Sequence, residues 1–163
     1  VTVSDSEGAI GLPYRSSGDP RTASSMWGTN KFLLPQYAPN KYGGATLGIS
    51  PIVVADWIEA RLIQAEAAYQ GVPTGQGTWL DQLNTLRQTA ITPALPPLND
   101  PGSSAARVAL LFRERAFWLF VTGHRQGDLR RLVRQYPVVA PFPDAVYPTG
   151  PYPLFGSLSL YGG

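Results

Sequence analysis

The sequence predicts an all-α fold: a tetratricopeptide-like helix hairpin and a long central helix, wrapped by extensive Pro/Gly-rich ordered coil. Three observations predict it. Apolar residues recur at helical spacing in three stretches between residues 52 and 135. Capping and stop residues bracket those stretches. The 17 glycines and 16 prolines gather in 1–51, 71–78, 92–102 and 137–163, which confines regular structure to the intervals between.

Residues 1–50 read as ordered coil. Turn formers alternate there with Tyr14, Trp27, Phe32, Tyr37 and Tyr42, aromatics of the kind that fasten long loops to a core, and neither helical nor strand periodicity persists. Ser50 and Pro51 then supply a cap and a first-turn proline for a helix over 52–70. Ile58, Leu62, Ala65 and Tyr69 form its apolar stripe, and Gly71 and Pro73 end it. A second helix over 78–91 opens on Thr78 and Asp81, spaced like a capping box, and presents Trp79, Leu83, Leu86 and Ala90. The short Gly/Pro turn between the two predicts an antiparallel hairpin. The third helix starts at Ser103 or Ser104 and runs to about Thr122. Its second half is apolar nearly all round, as a central helix requires. Gly123 interrupts it, a short basic helix continues to Gln135, and 136–163 return to coil. A single helix pair with no second copy at a fixed period makes the repeat character partial.

Composition narrows the function. At 163 residues, 44% hydrophobic and 15% charged, the chain can bury one core and is too apolar for a disordered tail. More than half of its basic residues lie between Arg107 and Arg134, and Lys31 and Lys41 are its only lysines, so the pI of 9.1 does not describe a nucleic-acid-binding stripe. No cysteine is present, which excludes thiol nucleophiles, disulfides and Cys-type zinc sites. One histidine, His124, cannot build a His-rich metal centre, and the glycines at 43–44 and 75–77 precede no phosphate-binding Lys-Ser/Thr. No apolar run is long enough to span a bilayer. No cofactor and no metal are expected.

Three segments carry a resemblance. They are "EARLIQAEAAY" (59–69), "LNTLRQTA" (83–90) and "RERAFWLFVTGHRQGDLRR" (113–131), preceded by the turn Asp19-Pro20-Arg21. In this order the chain resembles the C-terminal portion of the SusD/RagB family of nutrient-binding outer-membrane lipoproteins. Residues 1–163 would be part of one such domain, loop-rich over 1–50, helical over 51–135 and loop-rich again over 136–163. The resemblance implies non-catalytic capture of a glycan or other nutrient at the cell-surface face of the outer membrane. It also implies delivery to a SusC-type TonB-dependent transporter, and a lipid anchor on an N-terminal segment missing from this sequence. Trp118 and Thr122 stand where the family often carries acidic residues, so its charge network does not transfer whole.

Glu114, His124 and Asp128 have the side chains of an acid, a base and an orienter. Arginines 113, 115, 125, 130 and 131 surround them in sequence, however, and arginine beside a carboxylate favours its charged form, the opposite of what a general acid needs. The expected role is a structural polar cluster of Arg61, Glu66, Glu114, Arg115, His124, Arg125 and Asp128. In it Asp128 meets Arg125 or Arg131, and Arg61 and Glu66 reach from the first helix to the third. Sugar binding calls for flat aromatic faces flanked by amide and charged groups on loops, which selects Trp27 with Asn30 and Lys31, and Tyr37 with Asn40 and Tyr42. These are selected by residue type, since no binding residue transfers with the family motifs. A helical-repeat interaction scaffold without a small-molecule ligand is the alternative function. A hydrolase, the third, would need a carboxylate pair about 5–10 Å apart in one cleft.

Overall fold

The protein, seen as a computed structural model, is described at residues 3–5, 7, 11–43 and 53–136. A 3-10 turn, Pro20–Thr22, leads into strands β1 (Ser24–Thr29) and β2 (Pro35–Pro39), and a second 3-10 turn, Asn40–Tyr42, follows. Helices α1 (Trp57–Tyr69), α2 (Trp79–Thr89), α3 (Ser104–Trp118) and α4 (Arg125–Gln135) complete the described chain.

The antiparallel β1–β2 hairpin overturns the all-α, tetratricopeptide-like prediction: among the described residues the fold is four helices plus a small sheet. Its strands escape sequence reading for a physical reason. The register slips between Met26 and Gly28, and prolines sit at both ends of β2. With β1 exposed at Ser25, Met26 and Trp27 in succession, no alternation of inward and outward residues is written into the sequence. Disruption by Pro and Gly is tolerated because this is a two-stranded ribbon with no central strand.

The helices follow local chemistry. Asp56, in extended conformation, accepts from the Glu59 N–H at 2.8 Å and starts α1. The start therefore falls at Trp57 and not at 52, with Ser50 and Pro51 lying outside the described residues. Gly71, at φ +84°, turns the chain out of α1. Thr78 and Asp81 form the full capping box of α2, and Ser103 caps α3 through the Ala106 N–H. α3 ends at Trp118, short of the expected Thr122. There Thr122 turns both its amide and its hydroxyl onto the Leu119 carbonyl, and Val121 adopts a left-handed φ of 53°. The predicted coil over 137–163 lies outside the described residues.

α1 and α2 pack on each other, and α3 joins two cores. One contains Leu62, Ala65, Leu83, Leu86, Val108, Leu111 and Phe112, closed by Leu129, Leu132 and Tyr136 from α4 and its end. The other sets Tyr14 against Ala116, Phe117 and Phe120, so the N-terminal segment covers the opposite side of α3. Leu62, Leu83, Leu86 and Leu111 are fully buried, each worth about 1.5–3 kcal/mol relative to exposure.

Candidate functional site

Three ion-pair groups tie these layers together. In the first, Arg115 Nε and Nη2 donate to Asp128 Oδ2 and Oδ1, both at 3.0 Å, and Arg131 Nη2 donates to Asp128 Oδ1 at 2.6 Å. Arg131 Nη1 also reaches Glu66 Oε1 at 2.5 Å, which accepts from the Tyr136 hydroxyl at 2.8 Å as well. Residues of α1, α3 and α4 thus meet at two carboxylates. Burial, then the bond to Glu66, pushes the Tyr136 hydroxyl up to about 12.

In the second group, Glu114 takes Arg21 Nη1 at 2.6 Å and Arg87 Nη1 at 2.8 Å. Arg21 simultaneously clamps Asp19 through Nε and Nη2 at 2.9 and 2.7 Å, while Arg87 Nε donates to the Pro96 carbonyl at 2.6 Å. Partial burial raises the Asp19 carboxyl, but its bonds from the Arg21 side chain and amide together outweigh that and leave it below the ordinary aspartate value. In the third group Arg125 Nε and Nη2 grip Glu7 at 2.6 and 2.7 Å, and the Tyr14 hydroxyl donates to the same carboxylate at 3.2 Å.

The sequence-selected cluster is therefore divided. Asp128 pairs with Arg131, one of the two expected partners, and with Arg115; Arg125 goes instead to Glu7. Glu66, expected to reach the third helix, bonds instead to Arg131 of α4 and Tyr136 and comes only within 3.9 Å of Arg115 on α3, while Arg61 stays apart, bonded to Gln76 at the surface. Reach explains the difference: Glu66 is buried on the α1 face toward α3 and α4, whereas Arg61 is bonded toward the α1–α2 turn. Glu114 and Asp128 belong to separate groups and His124 pairs with Glu59 apart from both, so the three do not assemble as an acid–base set.

His124 lines a pocket that several polar groups share. A small pocket of ≈ 100 Å³ is lined by Lys41, Tyr42, Val53, Ala55, Asp56, Glu59, Leu119, Thr122 and His124. His124 Nε2 lies 2.9 Å from Glu59 Oε1, and its Nδ1 lies 2.8 Å from the Thr122 hydroxyl. Lys41 Nζ donates to the Trp118 carbonyl at 3.1 Å, and the Tyr42 hydroxyl to the Val121 carbonyl at 3.3 Å. The Lys41 side chain as a whole is exposed, yet its amine against this wall is desolvated enough to fall below the ordinary lysine value. These side chains form a hydrogen-bonded wall in which the Lys41 amine, the Glu59 carboxylate and the Tyr42 hydroxyl each have a partner within the chain.

Of the sequence-selected ligand residues, only Tyr42 reaches this pocket. Trp27 is exposed at the bulge in β1. Asn30 spends its side-chain carbonyl on the amides of Phe32 and Leu34. Tyr37 has the Arg15 guanidinium 3.9 Å above its ring, and Asn40 accepts from Ser25. Lys41, Asp56, Glu59 and Thr122 were not selected by sequence. Lys41 adjoins Tyr42, but nothing in the sequence announces that residues 41, 59 and 124 converge. Among the described residues no group of three or more metal-ligating side chains occurs. No protein-family model, curated protein or solved structure matches the chain.

Proposed function

We propose that the chain is the C-terminal portion of a SusD/RagB-type protein that captures a glycan or other nutrient without chemistry and passes it to a SusC-type TonB-dependent transporter. The carrying observation is how the three motif segments spend their charges. "EARLIQAEAAY" contributes Glu66, "LNTLRQTA" contributes Arg87, and "RERAFWLFVTGHRQGDLRR" contributes Glu114, Arg115, Arg125, Asp128 and Arg131. All seven are engaged in ion pairs that join elements, two of them with partners far away in sequence, Glu114 with Arg21 and Arg125 with Glu7. Motif charges used this way specify a scaffold, and Tyr42 and Lys41, which lie outside the motifs, line the pocket beside the motif residues Glu59 and His124. On this reading the protein works at the cell-surface face of the outer membrane, held by a lipid on a preceding segment.

Calorimetric titration with a panel of neutral oligosaccharides tests the reading. Saturable binding is expected, weakened on the order of tenfold by Tyr42→Ala through loss of the ring face. If no oligosaccharide or peptide binds, and the chain only associates with other proteins, it is an interaction scaffold and the capture role is wrong.

A further inference from the structure

The tip of the β1–β2 hairpin presents an apolar surface that no other described element covers. Phe32, Leu33 and Leu34 are 69%, 82% and 55% exposed, and Met26 and Trp27 stand exposed on the strand below. This is not a loose loop. Asn30 Oδ1 accepts from the amides of Phe32 and Leu34 at 2.9 and 3.1 Å, the Asn30 amide donates to the Leu34 carbonyl, and the Leu33 amide donates back to Asn30. Those bonds hold Leu33 at φ 60°, a region uncommon for any residue but glycine. Backbone held in such a conformation, with three large apolar side chains turned to water, calls for an occupant.

Charge selects which one. No Asp or Glu occurs from Pro20 to Ala55. The tip carries one cation, Lys31, whose amine lies 5.0 Å above the Phe32 ring. An apolar tip with a tryptophan beneath it and a long lysine whose stem can lie in acyl chains while its amine meets phosphate has the make-up of an interfacial anchor. We infer that the hairpin tip inserts Phe32, Leu33 and Leu34 into an anionic lipid surface, with Lys31 at the headgroup level. The inference is independent of the ligand-capture reading.

The test is co-sedimentation of the chain with vesicles of phosphatidylcholine alone and with one third phosphatidylglycerol, comparing wild type, Phe32→Ser/Leu33→Ser and Lys31→Ala. The double variant should keep its helical circular dichroism and melting temperature, since both side chains already face water. Wild type is expected to sediment with the anionic vesicles. The double variant should lose at least tenfold in partitioning, from two apolar side chains no longer buried. Lys31→Ala should lose about fivefold on anionic vesicles and nothing on neutral ones. Failure of the wild type to bind, or equal binding by the double variant, overturns the inference. So does a double variant that still binds vesicles but has lost association with a protein partner, which would make the tip a protein contact.

Discussion

Arg115 and Asp128, 13 residues apart on successive helices, face each other in a two-pronged ion pair with both contacts at 3.0 Å and both side chains almost wholly buried. Arg131 adds a second cation to the same carboxylate from one turn further along α4. Removing the acid strands the Arg115 guanidinium in the interior with Glu66, 3.9 Å away, as its one carboxylate partner among the described residues. Asp128→Ala is therefore expected to cost about 3–5 kcal/mol, a fall in Tm on the order of 10 °C. Differential scanning calorimetry reads this, and an unchanged Tm would show that the pair holds nothing.

Glu114 is the corresponding hub on the other face of α3. Glu114→Gln leaves Arg21 and Arg87 sharing a neutral amide in a buried site, and should lower Tm by an amount comparable to Asp128→Ala. Arg107→Ala makes the contrast. Its partner Asp100 is exposed, both ends are solvated, and the Tm should stay where it is. Equal effects from the two variants would mean that burial is not what gives these pairs their weight.

Alkaline unfolding should involve Tyr136. Its hydroxyl titrates near 12 in the fold against 10.0 in the unfolded chain, so the folded value is the higher. Its contribution to stability is then complete below pH 10 and is lost as pH rises toward 12. Burial displaces Tyr14 in the same direction. Tyr136→Phe should flatten the decline in denaturant midpoint across this window without altering the neutral plateau's pH dependence. At the acid end Asp19 has the opposite sign. Its folded value lies below 3.8, so its contribution is present above that pH and lost beneath it, and Asp19→Asn should remove that part of the acid limb.

Local signals predict a smaller effect at the start of α2. Thr78→Ala deletes one half of the capping box and leaves the Asp81 amide unbonded to a side chain, at a cost of about 1 kcal/mol. Leu111→Ala, in the fully buried core, should cost about 2–5 kcal/mol. Chemical denaturation ranks the two, and a Thr78 variant as damaging as the Leu111 variant would contradict the account of α2.

Much of the helical framework was legible because its signals are local. Thr78 with Asp81, Ser103 before α3, and Gly71 after α1 lie within a turn of what they control. The β-hairpin was not legible, since a bulge at Met26–Gly28 and two prolines erase the alternation that would announce it. The charge groups show the same boundary. Asp128 with Arg131 could be read from a three-residue spacing, whereas Glu7 with Arg125 spans 118 residues and Arg21 with Glu114 spans 93. Only tertiary folding brings such residues together. Likewise Tyr42 could be chosen by type, but its neighbours Glu59 and His124 arrive from α1 and the start of α4.

Capture without chemistry is the claim on which the functional account stands, and the fate of a bound sugar tests it most directly. The chain should be incubated with an oligosaccharide it binds, and the ligand recovered and weighed by mass spectrometry. The account predicts that it returns whole, at its original mass, from wild type and from Glu59→Gln alike. Shortened products carrying one added water, formed by wild type and absent with Glu59→Gln or His124→Ala, would contradict it and make the pocket a hydrolytic site.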